Sequence, residues 1–185
     1  MVLMHTPPVD PGSTAPNFDL PGVDGRQHSL ADFKDAPVLV VMFICNHCPY
    51  VQAVEERLIA LAGELQPRGV AFVAINSNDP VQYPEDDFTH MRQRAQRMGY
   101  PFPYLMDQTQ EVASAYGAVC TPDFFVYDSQ RQLRYRGRLD DSPRNPAMVK
   151  RQELRLAVEA LLSGGAVPGP QHASLGCSIK WRHAP

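Results

Sequence analysis

A mixed α/β sandwich, one central sheet with helices packed on its faces, is the fold this sequence predicts. Two patterns carry that reading. Val38 to Ile44 and Val70 to Ile75 are continuous apolar, β-rich runs, as expected of strands buried on both faces. Between them, Tyr50 to Gln66 sets Val54, Leu58, Leu61 and Leu65 on one helical face, completing a strand–helix–strand unit.

The remaining elements follow in order. The Pro67-Arg68-Gly69 turn stops the first helix, and Asn76 to Asp87 is a polar, proline-containing loop. A helix over 87–98 carries Phe88, Met91, Ala95 and Met98 on one face and ends at Gly99; its Arg92, Arg94 and Arg97 read as a solvated face. Tyr104–Met106 is a short strand, and Asp107 is placed to cap a helix running through Tyr116. Phe124 to Tyr127, a turn at Asp128–Gln130 and Leu133 to Arg138 form a β-hairpin. A last helix spans Met148–Leu162, with Leu154, Val158, Leu161 and Leu162 inward, until Gly164-Gly165 breaks it. The mixed sheet is thus expected to end in a hairpin and a C-terminal helix.

A chain of 185 residues is long enough for one domain and one core. We take 1–163 as that domain and 164–185 as a Pro/Gly-containing tail holding Cys177 and the only tryptophan, Trp181. With 17 Lys+Arg against 20 Asp+Glu the net charge is −3, so no basic field recruits nucleic acid or an anionic membrane. The longest apolar run, Pro37 to Cys45, is too short to span a bilayer. Met1 to Gly12 lacks the charged and apolar segments of an export signal, which points to the cytosol.

The four cysteines are Cys45, Cys48, Cys120 and Cys177, too few and too unevenly spaced for a disulfide scaffold. In a reducing compartment a Cys-x-x-Cys signals catalysis or metal rather than structure. Cys45-Asn46-His47-Cys48 falls where the first strand hands over to its helix. There the unpaired N–H groups and the helix dipole favour a thiolate, which assigns Cys45 as the attacking nucleophile and Cys48 as the resolving thiol. His47 either stabilises that thiolate as an imidazolium or is an exposed helix-start residue with no role. Zinc sites generally use a second close cysteine pair, which Cys120 and Cys177 do not supply. Thr121-Pro122 precedes the Phe124 strand and suits a tight turn, with a cis peptide, against the Cys45 end of the helix. Cys120 reads as a buried apolar group or a third redox thiol.

These residues resemble the thioredoxin fold and, more narrowly, the redoxins of the alkyl hydroperoxide reductase/thiol-specific antioxidant superfamily. The opening Gly12-Ser13-Thr14-Ala15-Pro16-Asn17-Phe18-Asp19-Leu20, Gly25 and Ser29-Leu30-Ala31-Asp32-Phe33 are similar to the redoxin N-terminal signature. Cys45 to Pro49 matches the redox motif and Thr121-Pro122 the cis-proline turn, which the resemblance makes a substrate-binding element. Ala74 to Asp79, Tyr135 to Asp141 and Gly176 to Trp181 are similar to the peroxiredoxin-like 1 group. The resemblance implies a thioredoxin-like three-layer sandwich over about residues 10–182.

Two departures matter. Peroxiredoxins build a peroxide pocket from a Pro and a Thr ahead of the reactive cysteine. The matching positions here are Val41 and Cys45 counted from Cys48, or Val38 and Met42 counted from Cys45. Thioredoxins carry a Trp before the first cysteine and a carboxylate in the preceding strand; here Ile44 stands there and Val38 to Ile44 is free of carboxylates. Proton handling is therefore expected from Glu55 or water. Arg134, Arg136 and Arg138 share one face of the hairpin strand and read as a charged sheet edge; the alternative is an arginine near the site that polarises a peroxide or steers an acidic partner.

The expectation is a monomeric or weakly dimeric thiol–disulfide oxidoreductase of the cytosol, cycling Cys45 and Cys48 between dithiol and disulfide. It would work on a thiol or disulfide protein partner, with neither cofactor nor resident metal. The enzyme alternative is a thiol peroxidase that reduces hydroperoxides through a sulfenic acid. The other alternative is a copper or zinc carrier using Cys45, His47 and Cys48. If the tail folds back over the sheet, Cys177 would resolve an oxidised Cys45; otherwise it is a packed strap with an unreactive cysteine.

Overall fold

Five strands make the central sheet of the computed structural model, which describes residues 3–7 and 11–182. Parts of the first twelve residues and the last three of the tail lie outside that range. A short strand β1 (Leu3–His5) is followed by a hairpin, β2 (Asp19–Pro21) and β3 (Gln27–Ser29). The βαβ unit is β4 (Val38–Phe43), α1 (Pro49–Leu65) and β5 (Val70–Asn76), close to the predicted spans. Then come α2 (Phe88–Met98), β6 (Tyr104–Met106), α3 (Glu111–Tyr116), β7 (Cys120–Thr121), β8 (Asp123–Tyr127), β9 (Leu133–Gly137), α4 (Glu153–Leu162) and β10 (Leu175–Ser178).

The sheet order is β6-β5-β4-β8-β9, with β6, β5 and β4 parallel and β8 and β9 antiparallel, so the sheet is mixed as expected. Alternation along β4 splits the core in two. Val38, Val40 and Met42 face α1, α2 and α4, whereas Leu39, Val41 and Phe43 face α3 and the β2–β3 hairpin. Among the described residues no helix is long and apolar enough to cross a membrane.

Three predicted elements are corrected. Gln110 adopts a left-handed conformation, φ 66°, so α3 starts only at Glu111. Asp107 does not cap it in the expected place; its carboxylate accepts from Ser77 Oγ at 2.8 Å and from the Ala113 N–H at 2.9 Å. The last helix begins at Glu153 rather than Met148, because Asp141 takes the Lys150 and Arg151 N–H groups at 2.9 and 3.1 Å and keeps that segment extended. Arg134 and Arg138 do lie toward solvent, but Arg136 is buried. It pairs with Asp123 at 2.9 Å and lies over the Phe125 ring, so the arginine row is not a uniform charged edge.

The tail does return across the molecule. Strand β10 lies between β1 and β7 in a small antiparallel sheet, with Cys177 opposite both Leu3 and Thr121. Its exit is tied down by the Asp79 N–H to the Lys180 carbonyl at 2.8 Å and the Lys180 N–H to Asn78 Oδ1 at 2.9 Å.

Candidate active site

Cys45 to Cys48 spans the gap between the end of β4 and the first turn of α1. Cys48 is the N-cap residue and Pro49 the first helical residue, where a missing N–H leaves no bond unmade. The turn joining β7 to β8 closes on this corner, and its Thr121–Pro122 peptide is cis. Thr121 reaches both thiols: its hydroxyl lies 3.3 Å from Cys45 Sγ, and its carbonyl accepts from the Cys48 thiol at 3.1 Å. A third sulfur belongs to the group, since Cys177 Sγ is 3.0 Å from Cys48 Sγ. Cys45, Cys48 and Cys177 are 1%, 0% and 2% exposed, so all three sit below the surface.

Acidity separates them. The Cys45 thiol, the Cys177 thiol and the Val51 N–H all stabilise a charge on Cys48; the Cys45 contact is the strongest, and together they outweigh burial and hold Cys48 at about 5. Cys45 moves the other way, pushed well above the usual thiol range by burial, by its bond to Cys48 and by the Asp86 carboxylate. Burial and the neighbouring Cys48 push Cys177 up to about 12. The depressed thiol expected at Cys45 is thus at Cys48, where the contact with Cys45 comes first, that with Cys177 next, and the Val51 N–H of the first helical turn adds to them.

His47 is held rather than exposed. Its Nδ1 is 2.5 Å from Asp86 Oδ2, and its ring stacks on Tyr83 at 5.1 Å and 9°. The Asp86 bond raises the imidazole's pKa. Burial works against the Asp86 charge, yet bonds from His47, Asn78 and the Asn46 N–H keep its carboxyl below the ordinary range. Asn46 braces the motif further, its side chain bonding the Glu85 carbonyl at 2.7 Å and Tyr104 OH at 3.1 Å.

Sequence reasoning missed Asp86, Asn46 and Tyr104. An aspartate in a polar, proline-containing loop has the signature of a solvated residue, and only the fold shows that Asp86 is fully buried. Glu55, the expected proton carrier, is buried but already engaged by Arg94, at 2.5 Å, and by the Tyr100 hydroxyl. Arg94 accordingly leaves the solvated face predicted for it. Asp86 instead groups with the motif: Cys45, His47 and Asp86 bring a sulfur, a nitrogen and an oxygen within 4.8 Å of one another. That trio differs from the expected carrier set of Cys45, His47 and Cys48, and the hydrogen bond between His47 and Asp86 already ties two of its members.

Cys120 is buried, and burial pushes its thiol up. Pro122 lines a cavity of about 150 Å³ with His5, Tyr50, Phe124 and Leu175. A second, open cleft of about 530 Å³ is bordered by Asn46, His47, His90 and Arg97.

The chain as a whole is similar to known proteins. An uncharacterised conserved protein from Geobacillus kaustophilus shares 49% identity, covering 100% of this chain and 99% of its own, with a TM-score of 0.95. A thiol:disulfide interchange protein of the thioredoxin family from Chlorobium tepidum aligns over 76% of this chain and 92% of its own with a TM-score of 0.59; at 22% identity it establishes the thioredoxin fold. The thiol-disulfide oxidoreductase ResA of Geobacillus thermodenitrificans is 30% identical over 129 residues, and the match spans 66% of each chain. The AhpC/TSA family model matches residues 11–136, a stretch that includes the Cys-x-x-Cys corner and the cis-proline turn. The chain belongs to the AhpC/TSA family.

Proposed function

We propose that this protein is a thiol–disulfide oxidoreductase that cycles Cys45 and Cys48 between dithiol and disulfide. One observation carries the reading: the thiol held at about 5 lies at the helix N-cap, in contact with a second thiol and against the cis-proline turn. Near neutral pH Cys48 is then a thiolate. It attacks one sulfur of a disulfide substrate, forming a mixed disulfide and releasing the first substrate thiolate. Cys45 attacks the Cys48 sulfur and gives up its proton to the departing substrate sulfur. The second substrate thiol leaves and a Cys45–Cys48 disulfide remains. An external dithiol restores the reduced pair.

The partners are thiol or disulfide proteins, and the protein works as a monomer or weak dimer. The proposed compartment is the cytosol, which agrees with sparse cysteine usage and with a buried Cys120 that packs as an apolar group. Arg136 and Arg138, the arginines a peroxidase would have available on β9 and just after it, are committed to Asp123 and Glu153, which favours disulfide over peroxide. The test is reduction of insulin disulfides with dithiothreitol as electron donor. Wild-type protein should accelerate it, and Cys48→Ser should fall to the uncatalysed rate. Activity surviving in Cys48→Ser, or hydrogen peroxide consuming the thiols far faster than insulin does, would overturn the assignment.

A further inference from the structure

We propose that Cys177 is a third redox thiol, and that the oxidised protein comes to rest with its disulfide between Cys48 and Cys177. The inference rests on the dithiol reading of the Cys45–Cys48 pair and extends it.

Cys48 has a thiol on either side, and the two are presented differently. Cys45 reaches it within the motif. Cys177 reaches it from a strand that main-chain bonds fix on both edges: β10 pairs with β1 and with β7, and Cys177 stands opposite Thr121 itself. The Sγ–Sγ separation is 3.0 Å, inside ordinary van der Waals contact of two sulfurs. Gly176 makes this seat possible, since a Cβ there would lie 1.9 Å from the Thr121 carbonyl oxygen. The backbone of β10 is thus laid along the cis-proline edge as an added strand, the way a peptide substrate docks on a sheet edge. Its cysteine is directed at the Cys48 sulfur. A nucleophile held so closely has a large advantage over one that must diffuse in.

The step balances within three sulfurs. The Cys177 thiol attacks the Cys48 sulfur of the Cys45–Cys48 disulfide; the Cys48–Cys177 bond forms, the Cys45–Cys48 bond breaks, and the proton leaving Cys177 is returned to Cys45. The disulfide substrate has already supplied the oxidising equivalents, so the exchange needs no other oxidant. The released Cys45 thiol is received by the Thr121 hydroxyl, 3.3 Å away. The result is a disulfide that staples β10 to the start of α1.

The experiment oxidises the fully reduced full-length chain with oxidised glutathione, quenches with acid, alkylates and maps disulfides by peptide mass. Most of the disulfide should appear as the Cys48–Cys177 peptide pair, with Cys45 alkylated. In Cys177→Ala it should appear as Cys45–Cys48, and in Cys120→Ser the wild-type pattern should persist. A wild-type disulfide mapped to Cys45–Cys48 with Cys177 alkylated would overturn this proposal and leave the proposed function intact. Wild-type protein that forms no intramolecular disulfide would overturn both.

Discussion

The imidazole of His47 and the carboxylate of Asp86 form a pair with Nδ1 2.5 Å from Oδ2, and Asp86 is fully buried beneath it. Asp86 also accepts from the Asn46 N–H and from Asn78, so this one carboxylate fixes both the motif's backbone and its histidine. An Asp86 oxygen also lies within 4.8 Å of Cys45 Sγ, and its charge is among the causes that push the Cys45 thiol up.

Removing that charge should therefore be visible at His47. In Asp86→Asn the His47 pKa should fall, because the bond that raises it in the native protein is weakened. The variant should lose roughly 1.5–3 kcal/mol, the usual worth of a hydrogen bond to a charged group. The pH dependence has a defined sign. His47, raised above its ordinary 6.5, contributes below 6.5 and stops contributing as pH rises through its higher folded value. Asp86, lowered from 3.8, contributes above 3.8 and stops as pH falls through its lower folded value. The stability gap between wild type and variant should be widest between those two ordinary values. Imidazole titration by NMR and urea unfolding against pH check both statements; an unmoved His47 pKa would remove Asp86 from the account.

The second prediction concerns which sulfur is charged. Ultraviolet thiolate absorbance of the reduced protein should rise in a step near pH 5, the Cys48 value. Cys48→Ser should abolish that step, and Cys45→Ser should move it upward, since the Cys45 thiol is the strongest group holding the value down. Because Cys48 falls from 9.0 unfolded to about 5 folded, its contribution to stability should grow as pH rises between those values and vanish below them. A step that survives Cys48→Ser and disappears in Cys45→Ser would place the thiolate on Cys45.

Much of this was legible in the sequence, and the exceptions have a common cause. The apolar runs at Val38 and Val70 declared two buried strands, and the spacing of Val54, Leu58, Leu61 and Leu65 declared the helix between them. The position of Cys45 to Cys48 at their junction followed. Which thiol takes the charge did not, because that depends on contacts among the sulfurs, one of them from Cys177 on a strand distant in sequence, which spacing does not show. Asp86, Arg136 and Glu55 were misjudged or missed because each is a charge buried by elements distant in sequence. Periodicity reports which apolar residues share a face; it carries no sign of an acid in a loop folding under a histidine many residues earlier.

Arg136 shows what such a buried charge does. It pairs with Asp123, the residue directly after Pro122, so it braces the turn that Thr121 uses to touch the thiols. Burial pushes Asp123 up to about 7 even with the guanidinium beside it. Replacing Arg136 with Met leaves that carboxylate buried without its partner and should cost about 3–5 kcal/mol near neutral pH and above. The sign of the pH effect is fixed by the raised value: stability contributed by the protonated acid is complete below 3.8 and is lost as pH rises through about 7. Without Arg136 the folded value should climb further, so Arg136→Met should be markedly less damaging at about pH 5 than at about pH 8. Urea unfolding at the two pH values decides it, and an equal loss at both would show that Asp123 is not the group left stranded.

Gly176 gives the sharpest separation between packing and chemistry. Its neighbour Cys177 meets Cys48 only while β10 lies flat on β7, and a methyl group at 176 would collide with the Thr121 carbonyl, backbone that has little freedom to yield. Gly176→Ala should therefore push β10 away from the turn, at a cost of roughly 1–3 kcal/mol for overpacking. The consequence for the thiols is specific. Cys45 and Cys48 lie in the junction between β4 and α1 and keep their places, so the variant should still oxidise, but its disulfide should map to Cys45–Cys48. With one flanking thiol withdrawn, the acid step of Cys48 should also move upward, because Cys177 is among the groups that hold it down. Gly176→Ala with an unchanged disulfide map and an unchanged titration would mean that β10 retains its seat despite the added methyl group, contrary to the close approach that the Gly176 backbone makes to Thr121.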